Sequence, residues 1–319
     1  VKDTMHELSL VTGGAGFIGS HLVESLAAAG RPVRVFDDFS TGLRSNLGHL
    51  KGVEVVEGSL TDPEAVRRAV RGAGVVYHLG ALASVARSVE APLVTHAACA
   101  TGTLHVLDAA RLEDARRVVY TASSSAYGGF SSDEGQTEDT PVNTLSPYAA
   151  AKMAGELYLQ AFSATYGLET VRLRFFNIFG PRQRADSPYS GVIALFTAAM
   201  TAGKPPTVHG DGLQSRDFTY VANAVQALRK AAEAPGVSGK VYNVGTGRSI
   251  TVLELVAALN RLLGTDLAPA HGPTRAGDVR YSRADVGRTK RDLGYDPTVP
   301  FEDGLAETLR WYREQAAGA

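Results

Sequence analysis

The stretch that most restricts how this 319-residue chain can fold lies near its start. Leu8–Thr12 is a short apolar run, Gly13-Gly14-Ala15-Gly16-Phe17-Ile18-Gly19 follows it, and a helix-period segment runs from Ser20 to Ala29. Gly30 ends that segment, and Pro32-Val33-Arg34-Val35-Phe36-Asp37 reads as the next strand. A lone GxGxxG is a weak signal, but strand, glycine turn, helix and strand together supply the context that such a fingerprint needs. Glycines in the turn let the backbone approach a pyrophosphate, and the helix N-terminus offers free N–H groups and a positive dipole end. Asp37 closes the second strand, 18 residues past Gly19. A carboxylate there accepts hydrogen bonds from an adenosine ribose and repels a 2′-phosphate, which favours NAD over NADP; Asp38 can share the role. The bland alternative is a βαβ turn that holds no phosphate.

The pattern continues. Val53–Val56, Gly74–His78, Arg117–Thr121 and Thr170–Phe175 read as further parallel strands, with helices at Thr61–Val70 and Pro92–Ala110 between them. This alternation predicts an α/β fold, a Rossmann-type doubly wound parallel sheet, whose ligands bind beyond the carboxyl ends of the strands. Ser123, Ser124 and Ser125 stand at one such end, where a helix cap or turn is the plain alternative reading. After Phe176 the texture changes to a loop-rich stretch over Asn177–Ser190, then short helices and strands. The expected division is a dinucleotide-binding domain over 1–176, joined by about 214–245, and a smaller α+β substrate-binding lobe over 177–213 and 246–319.

Composition excludes several classes. Net charge is −1, from 32 basic and 33 acidic residues, which argues against a nucleic-acid or polyanion binder. The single cysteine, Cys99, rules out internal disulfides and fits a reducing compartment, so a cytoplasmic location is expected. No run approaches the ~18 apolar residues of a membrane span, and the short polar start does not read as a signal peptide. The eight histidines show no metal-ligand spacing, so no metal site is expected.

Ser146-Pro147-Tyr148-Ala149-Ala150-Ala151-Lys152 opens a long helix, with Ser146 as N-cap and Pro147 in the first turn. Tyr148 and Lys152, four apart, share one helix face. A neighbouring ammonium can lower a phenol's pKa from about 10, making a general base that works near neutral pH. With twelve tyrosines and seven lysines in 319 residues, the spacing alone arises by chance in about one such chain in four.

These motifs in this order, with Arg174-Phe175-Phe176-Asn177-Ile178-Phe179-Gly180-Pro181-Arg182 and Gly210-Asp211-Gly212 through Arg216-Asp217-Phe218, make the whole chain resemble the extended short-chain dehydrogenase/reductases. Within them it resembles the NAD-dependent epimerase/dehydratase branch, especially UDP-hexose 4-epimerases acting on UDP-N-acetylglucosamine. The resemblance implies Tyr148 as the base, Lys152 on the nicotinamide ribose, and Ser123, 25 residues before the tyrosine, as the serine that completes the site. It implies NAD contacts at Gly13, Gly16, Phe17, Ile18, Gly19, Asp37, Asp38, Ser40, Thr41, Gly42, Ser59, Leu60, Leu79, Ala81 and Phe175, besides Tyr148 and Lys152. It implies UDP-sugar contacts at Ser84, Ser124, Ser125, Asn177, Val192, Val208, Arg216, Arg275, Asp278 and Ser282. Of these, Asn177, Arg216 and Arg275 match diphosphate positions, Asp278 a uridine-ribose position and Ser282 a wall of the sugar pocket. A one-residue shift would put Tyr281 at that wall instead. Two positions depart from the family pattern: Ser59 stands where relatives carry Asp, and Cys99 where they carry Asn, which predicts weaker NAD retention. A homodimer is implied, through Pro92–Ala110 and Tyr148–Tyr166.

Dehydratases that resemble this chain carry an Asp-Glu pair after the site hydroxyl, and decarboxylases a Glu; here Ser124 and Ser125 occupy those places. Inversion at C4 needs no further acid, so a UDP-sugar 4-epimerase working through a transient 4-keto sugar is the expectation. A UDP-glucuronate epimerase or decarboxylase is the alternative, with Arg87 or Arg182 as carboxylate partner. A non-catalytic NAD sensor or scaffold is the alternative of another class, although both Tyr148 and Lys152 are retained.

Overall fold

A computed structural model of the chain describes residues 7–129, 134–186, 190–274 and 279–317. Seven strands form one parallel sheet: β1 (Ser9–Thr12), β2 (Val33–Asp37), β3 (Val53–Glu57), β4 (Val75–His78), β5 (Arg117–Ser123), β6 (Glu169–Phe175) and, late in the chain, β11 (Lys240–Val244). Their order across the sheet is β11-β6-β5-β4-β1-β2-β3, every neighbouring pair parallel. The order reverses at β1, whose neighbours are β2 and β4, so the crevice for a dinucleotide opens at the end of β1. β1, β4 and most of β5 and β6 are buried, as a sheet covered on both faces demands.

The helices are α1 (Phe17–Ala28), α2 (Pro63–Val70), α3 (Val85–Glu90), α4 (Pro92–His96), α5 (Gly102–Leu112) and α6 (Pro147–Tyr166). Apolar side chains of α2, α5 and α6 cover one face of the sheet, in a cluster with Leu10, Val76, Val118, Tyr120 and Leu159. The other face, with Val11, Val35, Tyr77, Val119, Val171 and Tyr242, packs against α1 and a later helix. The single helix expected over Pro92–Ala110 is α4 and α5 joined by a π turn at Ala97–Thr101, and α5 runs on to Leu112. Helix α1 starts at Phe17, three residues earlier than periodicity suggests, so Gly19 lies in its first turn. A Cβ on Gly19 would lie 2.1 Å from the Gly13 carbonyl oxygen, so this turn closes only around glycine.

The later part builds a second cluster from short elements. These are β7 (Ile178–Phe179), α7 (Val192–Thr201), β8 (Thr207–His209), β9 (Ser215–Arg216), β10 (Thr219–Tyr220), α8 (Val221–Glu233), β12 (Ile250–Thr251), α9 (Val252–Leu263), β13 (Ala270–Gly272), β14 (Tyr281–Ser282), α10 (Gly287–Leu293) and α11 (Phe301–Ala317). α8 returns to the sheet, packing on α1, β5 and β6. α7, α9 and α11 share a separate core with Phe179, Val208, Phe218, Leu255 and Leu305. β9 pairs with β12 and β14, which sets Arg216 beside Ser282. Among the described residues no helix is long and apolar enough to cross a membrane.

Candidate functional site

Helix α6 carries the reactive face. Ser146 caps it by accepting from Ala149 N–H at 3.1 Å, and Pro147 occupies its first turn, where a missing N–H costs nothing. Tyr148, Lys152 and Glu156, each four apart, follow one face. Glu156 is locked at the far end: its carboxylate accepts Arg174 Nε at 2.9 Å and Nη2 at 2.8 Å, with both side chains almost wholly buried. Arg174 in turn lies 4.7 Å over the Tyr127 ring. The pair fastens α6 to β6 two turns below the tyrosine. Glycine at 155 lets Tyr120 reach the helix; a Cβ there would lie 2.6 Å from the Tyr120 hydroxyl, which donates to the Lys152 carbonyl at 3.3 Å.

At the upper end, Ser123 at the tip of β5 faces the same cavity as Tyr148 and favours the ionised form of its phenol. Ser125 supports Ser123, donating to its Oγ from Oγ at 2.8 Å and from N–H at 3.2 Å. Burial pushes the phenol well above its ordinary pKa, the neighbouring Cys99 thiol adds to the rise, and Ser123 opposes it. The lowering of the phenol by Lys152, expected from their spacing, is not found in the chain alone. The lysine donates to the Thr121 carbonyl at 2.7 Å, and burial pulls its ammonium down to about 8 against the pull of Cys99 and Glu156. The phenol therefore needs a further positive charge in the cavity before it can act as a base near neutral pH.

Behind the lysine lies a buried relay that sequence reasoning missed. His78, wholly buried at the end of β4, hydrogen-bonds Thr12 through Nδ1 at 2.7 Å and Thr103 through Nε2 at 3.0 Å. Thr103 donates its own proton to the Cys99 carbonyl at 2.6 Å, so it accepts from His78, which assigns the His78 proton to Nε2. The relay joins the glycine turn to the π turn, where Cys99 sits in a small cluster with Ala151 and Tyr148. Its one sequence signal is a histidine closing an apolar strand. Burial, reinforced by Lys152, lowers the His78 pKa to about 3. The unfolded chain then takes up this proton first, so the stability is complete above pH ~6.5 and declines as pH falls towards 3. Between pH 7 and pH 5 the group should cost about 2 kcal/mol, read from urea midpoints; the loss should shrink in His78→Gln.

One cavity of about 1670 Å³ opens along the carboxyl ends of the strands. Its lining includes Gly13, Gly16, Phe17, Ile18, Gly19, Asp37, Asp38, Ser40, Thr41, Ser59, Leu60, Leu79, Ala81, Lys152, Tyr148 and Phe175. Gly42 is buried against Ala15 and does not line it. Asp37 is braced by the Ala15 and Phe39 N–H groups, both at 2.9 Å, and burial raises its pKa. A carboxylate has further lone pairs, so ribose hydroxyls can still be accepted. Asp38 accepts from Ser40 N–H at 2.9 Å and Oγ at 2.6 Å. The glycine turn, the N-terminus of α1 and Asp37 at the end of β2 together fit a dinucleotide.

The same cavity takes in Ser84, Ser123, Ser124, Ser125, Asn177, Arg216 and Ser282. Ser282 lines it and Tyr281 does not; Arg280 is 6.0 Å over the Tyr281 ring. Val208 is fully buried in the core of the second cluster, and Val192 packs on that core; neither lines the cavity. Arg275 and Asp278 lie outside the described residues. Asp217, wholly buried, accepts from Thr246 N–H at 2.8 Å, Gly247 N–H at 2.9 Å and Ala284 N–H at 3.2 Å, which fixes the strand bearing Arg216 against the one bearing Ser282. Arg182 is drawn to α1, donating to Glu24 at 2.6 Å and to Ser20 Oγ at 3.3 Å, while Arg87 is exposed at the cavity rim. Among the described lining residues the acids are Asp37, Asp38 and Glu90, so no carboxylate stands at Ser124 or Ser125.

Residues 9–245 match the model of the NAD dependent epimerase/dehydratase family. The chain is 37% identical over 312 residues to the UDP-glucose 4-epimerase of Mycolicibacterium smegmatis, covering 97% of this chain and 99% of that one. It is 32% identical over 321 residues to a UDP-N-acetyl-alpha-D-glucosaminuronate decarboxylase of Bacillus cytotoxicus, covering 97% and 99%. Among solved structures, the UDP-N-acetylglucosamine 4-epimerase of Methanobrevibacter ruminantium, in complex with UDP-N-acetylmuramic acid, superposes with a TM-score of 0.92 at 35% identity, covering 97% of this chain and 99% of that one. With a dinucleotide cradle, Ser123, Tyr148 and Lys152 on one cavity wall and a match along nearly its whole length, the chain belongs to the NAD-dependent epimerase/dehydratase family.

Proposed function

We propose that this protein is an NAD-dependent 4-epimerase of UDP-hexoses, acting on the UDP-N-acetylglucosamine/UDP-N-acetylgalactosamine pair and also admitting UDP-glucose and UDP-galactose. The observation that carries the reading is Tyr148 and Lys152 in a nucleotide-sized cavity that Ser123, Ser124 and Ser125 also line, with no acid at Ser124 or Ser125. Gly13, Gly16, Gly19 and Asp37 would hold the cofactor, with Tyr148 and Lys152 at its reactive end. When bound, NAD takes up and returns the hydride at C4, and its oxidised ring adds the positive charge that the phenol lacks. Tyr148 removes the proton from the sugar 4-hydroxyl, with Ser123 favouring its ionised form. Lys152, fixed by the Thr121 carbonyl, orients the site. Asn177 and Arg216 anchor the diphosphate while the 4-keto sugar turns its other face, and Tyr148 then returns the proton to O4. Binding energy far from C4 thus holds the reacting group in place without freezing it. No proton donor for water elimination stands at Ser124, which separates this chemistry from dehydration.

Ser282, small and at the wall, leaves space for a 2-acetamido group. Ser282→Tyr should lower kcat/KM on UDP-N-acetylglucosamine by at least about tenfold and leave UDP-glucose nearly unchanged, in coupled assays of both pairs. Undiminished N-acetyl turnover would remove Ser282 from the specificity account. A UDP-hexuronate substrate is the second reading, favoured by Arg87 at the rim; decarboxylation would release CO2 and epimerisation would not.

The functional unit we propose is a homodimer built on α4 and α6. Leu93 is 83% exposed and Leu157 59%, and a groove lined by Pro92, Leu93, His96, Pro147, Ala150, Ala151 and Ala154 runs between the two helices. Each leucine buried against a second copy contributes about 1.5–3 kcal/mol. Light scattering should give twice the chain mass for the wild type and the monomer mass for Leu157→Glu.

A further inference from the structure

Two buried side-chain oxygens on the cavity wall have no hydrogen-bond partner, those of Gln136 and Gln183. Gln183 is held at its other end, donating from Nε2 to the Ile178 carbonyl at 3.3 Å. The Gln136 side chain is 5% exposed; its oxygen is buried without a partner, and among the described residues nothing hydrogen-bonds its nitrogen. Its backbone is the reverse. Gln136 N–H donates to the Arg283 carbonyl at 2.8 Å, and its own carbonyl accepts from Asp285 N–H at 2.9 Å and from Asn243 Nδ2 at 2.7 Å. The bridge Gln136↔Ala284 sets it two residues from Ser282 along the neighbouring strand. Glu138 fastens the same segment, accepting from Asn243 N–H at 2.8 Å.

A rigid backbone thus presents an amide with a buried, unpartnered oxygen at the cavity wall that Ser282 also lines. An unpaired buried amide is a standing cost to the fold, and such costs gather where a ligand meets them. No hydrogen bond has to break for the side chain to turn. An amide offers a donor and an acceptor together, which suits the hydroxyl or acetamido groups of a sugar better than a diphosphate, which only accepts.

We propose that Gln136 is a specificity-determining residue that hydrogen-bonds the hexose of the nucleotide sugar; this rests on the UDP-sugar reading above. The test is calorimetric titration of the NAD-loaded protein with UDP, UDP-glucose and UDP-N-acetylglucosamine, for wild type, Gln136→Leu and Gln136→Met. Both variants should bind UDP as the wild type does and lose about tenfold or more for at least one UDP-hexose. The substrate-free thermal midpoint of Gln136→Leu should rise, because an apolar side chain replaces an unpaired amide. Unchanged hexose affinity, or equal losses for UDP and UDP-hexose, would overturn the assignment while leaving the UDP-sugar reading intact. A wild type that binds neither UDP nor a UDP-hexose would overturn both.

Discussion

Tyr148→Phe is expected to lower kcat by about 10²–10⁴-fold, the usual yield of a positioned acid–base group, while NAD stays bound. The substitution removes one oxygen and little volume, so α6 and its packing should persist. The phenol is half-buried against Cys99 and Ala151, and Ser123 is the side chain that favours its ionised form. Lys152 is already engaged, its Nζ donating to the Thr121 carbonyl at 2.7 Å, so it does not stand ready to replace the phenol. Ser123 and Ser125 are linked to each other and are too weakly basic for the task. The loss should therefore fall on kcat, with the affinity for UDP-sugar little changed, as for an interaction made in the transition state. A variant that retains full turnover would take the base away from Tyr148.

Glu156→Gln carries the largest expected loss of stability, about 3–5 kcal/mol, because it leaves the Arg174 guanidinium buried without its counter-charge. The pair is bidentate, and its two side chains are 6% and 1% exposed, so water cannot repair the loss. Arg174 Nη1 already lacks a partner, which leaves the guanidinium little redundancy. Removing both charges with Glu156→Gln and Arg174→Met should recover much of the stability, since an apolar replacement often equals a buried ion pair. Urea midpoints of the two single variants and the double variant decide this. Because Glu156 stands one turn below Lys152, the single variant should also lower kcat at temperatures where it remains folded.

Much of this architecture was legible because it is local. The glycine turn, the Asp37 carboxylate and the Tyr148–Lys152 face each sit within one or two adjacent elements, where spacing alone sets geometry. Glu156 was also within reach, being one further turn along that face, but its partner Arg174 is on β6 and only packing reveals the pair. The His78 relay joins β1, β4 and α5, and no periodicity marks such a contact. Gln136 reaches Ala284 across about half the chain for the same reason. Val208 looked like a pocket residue by likeness of motif, yet the apolar face of its short strand is claimed by the core of the second cluster. The π turn at Cys99 lies in a run that reads as ordinary helix, because a single widened turn carries no residue signature of its own.

The central claim is redox-neutral inversion at C4, and proton NMR of the purified, NAD-loaded protein with UDP-N-acetylglucosamine in D2O tests it most directly. UDP-N-acetylgalactosamine should appear and reach a stable ratio with its epimer, with protium kept at C4 because the hydride never exchanges with solvent. Failure to form the C4 epimer, deuterium at C4, or a product that has lost water would contradict it.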